Sequence, residues 1–234
     1  MIFGRKKLIK NFKFDIQLDG IEIARVATTK FLGIYIDDKL SWNNQIANLS
    51  KRVAINVNIL NKAVPKLNAT ASLMLYYAII QSHLSYCTIV WGGTSNKNIE
   101  LLLRLQKKAL RIITRSKYRE HASPLFKNLR LLKMKDLYKI QIALYVHKHI
   151  YNHVSFPAQN SSFVKFKEAP NDHDTRNATH RLFVLAYKTD IRGKSISFIG
   201  PRTWNSLPIN IRCIISPHEF KRKLITYMTS LYEE

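Results

Sequence analysis

The spacing of apolar residues changes along the chain, from a strand-like start to a helical middle. The segment FKFDIQLDGIEIARV (residues 12–26) alternates apolar and polar positions around Asp19-Gly20. Alternation of this kind predicts half-buried strands, and Asp-Gly is a strong hairpin signal because both central positions of the turn need positive φ. A further short strand is predicted over Phe31 to Ile36.

From residue 46 onward the apolar period lengthens to three or four positions, which is the period of an amphipathic helix. Pro65 is expected to end or bend the first helix. The glycine-rich segment WGGTSN (residues 91–96) is expected to form a loop after the second helix. The predicted helices cover residues 46–64, 69–87, 97–115 and 134–151.

The last third of the chain has a mixed pattern. Residues 154–180 are polar, contain two prolines and show no period, so a linker or long loop is predicted there. RLFVLAYKT (181–189) and KSISFIG (194–200) look like strands, PRTWNSLP (201–208) like a turn-rich connection, and Pro217 to Leu231 like a closing helix. The expected fold is α+β and mainly helical, with strands in 1–42, a helical domain in 43–153, the linker, and a small α+β segment in 181–234.

Positive charge is concentrated in the predicted helical domain. The chain has a formal net charge of +23, and residues 51–153 carry 18 Lys or Arg against three acids. A surplus of this size favours a polyanionic partner, and nucleic acid is the leading candidate.

A basic stripe follows one side of the predicted third helix. Arg104, Lys108, Arg111 and Arg115 are spaced four, three and four residues apart, and Lys107 lies beside them. Such spacing puts the cations on one helix face, where they suit a row of backbone phosphates. The alternative is an ordinary solvated face, but such faces usually mix Glu with Lys at i,i+4, and this helix has no acid after Glu100.

The segment FLGIYIDD (residues 31–38) has the Tyr-x-Asp-Asp shape of a polymerase catalytic motif. A polymerase site needs paired aspartates between two apolar strands and a further aspartate from a neighbouring strand. Here Asp37-Asp38 leads directly toward a helix, so both acids are interpreted as early caps or dipole partners, and no catalytic residue is expected. A compact polymerase in which Asp37 and Asp38 bind Mg²⁺ stays as an alternative.

Other candidate chemistry is weak. His147, His149 and His153 are interpreted as exposed polar positions at a helix end, and no metal site is expected. Cys87 and Cys213 lack metal or disulfide spacing and are interpreted as reduced thiols. No secretion signal or membrane span is predicted, so the expected location is intracellular, nuclear or cytoplasmic, without membrane contact.

Four motifs in order resemble the C-terminal part of the reverse transcriptases of animal non-LTR retrotransposons, the jockey-like and related elements. The motifs span nearly the whole chain. They are KFLGIYIDDKLSW (30–42), YYAIIQSHLSYCTIVWG (76–92), LQKKALRIIT (105–114) and GPRTWNSLPINIR (200–212).

The resemblance implies a separate role for each segment of the chain. Residues 1–42 would be a β-hairpin remnant of the polymerase palm, with Phe31, Leu32 and Gly33 in the primer grip. Residues 43–153 would be a helical thumb that packs on the template-primer. The family's catalytic carboxylates precede this segment, so the resemblance implies that they and their Mg²⁺ belong to an upstream palm. The expected function is therefore to grip an RNA/DNA template-primer for an RNA-directed DNA polymerase, and this chain is expected to be inactive alone. The alternative is a non-catalytic nucleic-acid-binding protein derived from a transposable element.

Overall fold

The computed structural model of the chain describes residues 1, 3, 16–151, 181–184, 186 and 193–232, and this part is mainly helical with two short hairpins. The predicted α+β, mainly helical fold class is confirmed. The predicted linker 154–180 lies outside the described residues, as does the chain before Ile16 apart from residues 1 and 3.

Two antiparallel hairpins precede the helices. Strand β1 (Gln17–Leu18) pairs with β2 (Ile21–Glu22), and both Asp19 (φ 51°) and Gly20 (φ 77°) have positive φ, so the predicted turn is confirmed. Strand β3 (Thr28–Phe31) pairs with β4 (Ile34–Asp37). The prediction of one strand over Phe31 to Ile36 is wrong, because a tight turn at residues 32–33, both with positive φ, folds this segment back on itself.

The helical part begins directly after the second hairpin. Its helices are α1 (Asn43–Ala63), α2 (Ala69–Tyr76), α3 (Ser82–Ser85), α4 (Thr88–Trp91), α5 (Asn96–Ile113), α6 (Ala122–Asn128), α7 (Met134–Ile150), α8 (Ile196–Asn205), α9 (Ile209–Arg212) and α10 (Pro217–Ser230). The four predicted helices are confirmed within about two residues at their C-terminal ends. The short helix α6 was not predicted.

The core lies where α1, α5 and α7 meet the shorter helices. The apolar positions of α1 that repeat every three or four residues are buried, including Ile46, Val53 and Leu60, and α1 packs extensively on α5. Pro65 lies in a 3₁₀ turn (Val64–Lys66) that ends α1. The periodic pattern therefore identified the packed face of this helix correctly.

A π turn (Tyr77–Gln81) joins α2 to α3 in what the sequence predicts as one helix. A π turn displaces backbone carbonyls from their usual partners. Here the Asn56 side chain of α1 donates a hydrogen bond of 2.7 Å to the carbonyl of Ile79. The contact ties the turn to α1.

The described part of 181–232 contains helices where strands were predicted. KSISFIG lies mostly in α8, because Phe198, Pro201 and Trp204 form a buried face at a spacing of three residues. Leu182 has only an isolated β-bridge, and the Asn205 side chain pairs with its backbone N–H (2.9 Å) and C=O (2.8 Å). The strand prediction is wrong for KSISFIG, which is mostly helical, whereas the described residues of RLFVLAYKT form no strand beyond the bridge at Leu182.

The histidines at the end of α7 do not share one environment. His147 is fully buried, its Nε2 lies 2.7 Å from the Ile214 carbonyl, and its ring stacks on Phe220 at a centroid distance of 4.1 Å. The prediction of an exposed position is wrong for His147, because α10 covers this side of α7. His149 stacks on Tyr145, and His153 lies outside the described residues.

Among the helices that the structure describes, none is long and apolar enough to cross a membrane.

Candidate nucleic-acid interface

Helix α5 presents the basic stripe because its opposite side is anchored in the core. Ser95 caps the helix by accepting a hydrogen bond from the backbone of Asn98 (3.4 Å). Inside, the buried Gln106 donates to the Tyr76 hydroxyl (3.1 Å) and to the Leu132 carbonyl (2.8 Å). These bonds fix the rotation of α5 about its axis, so the cationic face points outward.

The cationic face forms one wall of a groove of about 950 Å³ between α5 and the end of α1. All five basic residues that the sequence selected on this helix line it, and none of the described lining residues is acidic. The lining residues are Asn58, Asn61, Val64, Pro65, Arg104, Leu105, Lys107, Lys108, Arg111, Ile112, Arg115, Ser116 and Tyr118.

Three of the five cations have no partner among the residues that the structure describes. Arg104, Lys107 and Lys108 make no hydrogen bond or ion pair with any residue that the structure describes, and Arg104 and Lys108 are exposed. Like charges this close together raise the local positive potential, and an anionic ligand would lower it. These three side chains are available for phosphate contacts.

Arg115 has a structural contact. It was predicted on the helical stripe, but α5 ends at Ile113 and Arg115 has a left-handed φ of 55°. Its guanidinium donates to the carbonyls of Val64 (3.2 Å) and Leu67 (3.0 Å). Because carbonyls at a helix end lack intrahelical partners, a cation there stabilises the end of α1. Arg115 therefore ties the segment that follows α5 to the end of α1.

Arg111 holds the loop that follows α5. Its Nε donates to the Glu120 carbonyl (2.9 Å), and the Glu120 side chain accepts a hydrogen bond from the backbone of Lys117 (3.2 Å). Between these contacts lies Tyr118, which lines the groove and is 83% exposed. The loop thus places an aromatic ring at one end of the groove.

Sequence reasoning missed three groove residues, Asn58, Asn61 and Tyr118. A usable signal existed for Tyr118, since an aromatic residue between cations in RSKYR is typical of nucleic-acid-binding surfaces. The two asparagines carried no signal, because their role depends on which flank of α1 faces α5.

The other predicted binding residues lie apart from the groove. Phe31, Leu32 and Gly33 form the tip of the second hairpin, and none of them lines the groove. The tip is fixed to the helical part because the Tyr86 hydroxyl donates to the Leu32 carbonyl (2.7 Å). The structure therefore brings the five cations together and leaves Phe31 and Leu32 exposed on a separate surface.

Asp37 organises the turn between β4 and α1. Its carboxylate accepts hydrogen bonds from the backbone of Lys39 (3.1 Å), Ser41 (3.0 Å) and Trp42 (2.8 Å), and from the Ser41 hydroxyl (3.2 Å). Burial alone would raise the pKa of Asp37, but the hydrogen bonds outweigh it and hold the pKa below its usual value. Both carboxylate oxygens are thus engaged within the protein.

The described residues contain no group of three or more His, Cys, Asp or Glu side chains suited to hold a metal ion. Asp37 therefore has no ligand cluster around it in this part of the chain.

No protein-family model, curated protein or solved structure matches this chain.

Proposed function

We propose that the chain binds nucleic acid through the α1–α5 groove and grips template-primer as the thumb-like part of a reverse transcriptase. The observation that carries the binding proposal is the set of three cations, Arg104, Lys107 and Lys108, that have no partner in the described part of the chain and line a groove without a described acid. The reverse transcriptase assignment is supported by the four sequence motifs, and catalysis would require carboxylates and Mg²⁺ from an upstream palm.

A second candidate is a non-catalytic nucleic-acid-binding protein derived from a retrotransposon. The engaged carboxylate of Asp37 favours this candidate over a compact polymerase, because a metal ligand at this position would have to give up hydrogen bonds that shape the start of α1. Both candidates use the same groove, and they differ in whether another chain segment supplies the catalytic site.

The binding proposal is tested by the salt dependence of affinity for an RNA–DNA hybrid duplex. The test variant is Arg104→Gln/Lys107→Gln/Lys108→Gln. A matched control, Lys221→Gln/Arg222→Gln/Lys223→Gln, removes the same charge from exposed positions on α10. Fluorescence anisotropy between about 50 and 200 mM salt gives the slope of log K against log salt.

We expect the groove variant to bind more weakly and its slope to flatten by up to about three, because each lost phosphate contact removes about 0.9. The α10 control should keep most of the wild-type slope. Equal slopes for wild type and groove variant would contradict the proposal, and so would equal losses in both variants.

The two candidates are separated by primer extension with Mg²⁺. The chain alone should extend no primer under either candidate. Adding a separately expressed palm of the same element should produce extension only if the chain is a polymerase part, and the Arg104/Lys107/Lys108 variant should then extend less efficiently.

A further inference from the structure

The two walls of the α1–α5 groove differ chemically. The α5 wall carries cations, whereas the α1 wall carries the amides of Asn58 and Asn61, which are exposed and make no hydrogen bond with the described residues. Leu105 and Ile112 of α5 add apolar surface to the lining. A ligand that fills the groove would therefore be anionic on one side and would offer hydrogen-bonding and apolar surface on the other.

Tyr118 adds a stacking surface at the end of the groove where the loop follows α5. With 83% of its surface exposed, its ring is not used by the protein core. Its loop is nevertheless fixed at both ends, by Arg115 against the end of α1 and by the Arg111 contact to Glu120. A fixed and exposed aromatic ring beside cations is a feature of proteins that stack unpaired bases.

We infer that the groove binds a single strand of nucleic acid, with phosphates along α5 and unpaired bases turned toward Asn58, Asn61 and Tyr118. This inference rests on the proposed function and specifies which form of nucleic acid enters the groove. Bases in a duplex are stacked and paired, so their faces and pairing edges cannot reach these side chains. Unpaired bases expose both.

The size of the groove supports the same assignment. A volume of about 950 Å³ is in the range of sites for small ligands. This is room for a few nucleotides of one strand. A duplex, whose bases are already paired, would contact the cations of α5 but leave the amides unused.

The test compares single strand and duplex with variants that keep the charge. The full chain is titrated with labelled twelve-nucleotide oligo(dA) and oligo(rA), and with a hairpin duplex, at one salt concentration. The variants are Tyr118→Ala, Tyr118→Trp and Asn58→Ala/Asn61→Ala. The matched controls are Phe183→Ala and Asn210→Ala, which change exposed side chains outside the groove.

We expect Tyr118→Ala to weaken single-strand binding about tenfold, because stacking on one aromatic ring contributes roughly this much per base. Tyr118→Trp should restore binding, and the double asparagine variant should weaken it severalfold. Duplex affinity should change less than about twofold in all of them, and the controls should match wild type for both ligands. The oligo(dA) and oligo(rA) results should agree in direction, since stacking does not depend on the sugar.

Several outcomes would overturn the inference and can be told apart from failure of the proposed function. If Tyr118→Ala leaves single-strand affinity unchanged, or weakens duplex binding equally, the groove does not hold unpaired bases. If at the same time the Arg104/Lys107/Lys108 variant still loses affinity, the groove binds only phosphate backbone and the proposed function stands. If that variant binds like wild type, or wild type binds neither ligand, both proposals fail.

Discussion

Arg111 of α5 holds the carbonyl of Glu120 at 2.9 Å, so a residue predicted to contact phosphate also fixes the loop that carries Tyr118. Arg111 also lines the groove. Its charge and its geometry therefore have separate roles, and a substitution that preserves only the charge can separate them.

Replacing Arg111 with Lys should weaken single-strand binding while leaving the salt slope for duplex nearly unchanged. Lysine keeps the positive charge but has no Nε–H directed at Glu120, so the loop with Tyr118 should lose its anchor. Anisotropy measures both ligands, and hydrogen exchange of residues 114–121 reports the loop. Arg104→Lys is the control, because Arg104 makes no hydrogen bond with the backbone of any described residue. Similar exchange rates of the loop in wild type and Arg111→Lys would contradict the prediction.

Replacing Arg115 with Ala should mainly reduce stability. The side chain satisfies the carbonyls of Val64 and Leu67 at the end of α1, and charged hydrogen bonds typically contribute about 1.5–3 kcal/mol each when well shielded. Because Arg115 is exposed, we expect a loss of about 1–2 kcal/mol in the free energy of unfolding, measured by urea denaturation. Arg104→Ala, without such contacts, should stay within about 0.5 kcal/mol of wild type. Equal stabilities of the two variants would show that the Arg115 contacts contribute nothing.

The sequence predicts the long helices of this chain well because their apolar period is set by the core they share. Ile46, Val53 and Leu60 are separated by multiples of a helical turn and are all buried, so the pattern carries the packing directly. The cations of α5 were found by the same reasoning, since residues opposite a buried face must be exposed.

The errors share a different cause. KSISFIG contains alternating apolar residues, yet its helical burial depends on Pro201 and Trp204 further along and on the surface of α7 that they cover. The contacts of Arg115 and the position of Asn58 depend on two helices meeting in space. Such relations follow from tertiary packing, which local periodicity does not encode.

Replacing Asp37 with Asn should destabilise the protein near neutral pH and spare nucleic-acid binding. The carboxylate accepts four hydrogen bonds in the turn that precedes α1, and a hydrogen bond to a charged group typically contributes about 1.5–3 kcal/mol. The folded pKa of Asp37 is lowered below its ordinary value of 3.8, so its stabilisation is full above that value and is lost as pH falls through the folded pKa.

Urea denaturation at pH 7 and at stepwise lower pH should therefore show a stability gap between wild type and Asp37→Asn that closes below about pH 4. Asp38→Asn is the control and should behave like wild type. A gap that persists at the lowest pH would contradict the lowered pKa. Primer extension with Mg²⁺ by the isolated wild type, lost in Asp37→Asn, would instead support the compact polymerase.

Replacing Gly92 with Ala should destabilise the contact between α4 and α7. A Cβ at Gly92 would lie 2.3 Å from Cδ2 of Tyr138 and 2.5 Å from the carbonyl oxygen of Thr88, and the second group is backbone that cannot rotate away. Overpacking of this kind typically costs about 1–3 kcal/mol, and we expect a loss in that range by urea denaturation. Gly93→Ala is the matched control and should cost less, because the nearest atom to its Cβ would be the Tyr138 hydroxyl at 3.0 Å, the far end of a side chain. If both variants unfold at the same urea concentration as wild type, close approach is not the reason that glycine stands at position 92. If Gly92→Ala is as stable as wild type but binds nucleic acid more weakly, the substitution acts through the orientation of α5, which begins four residues later.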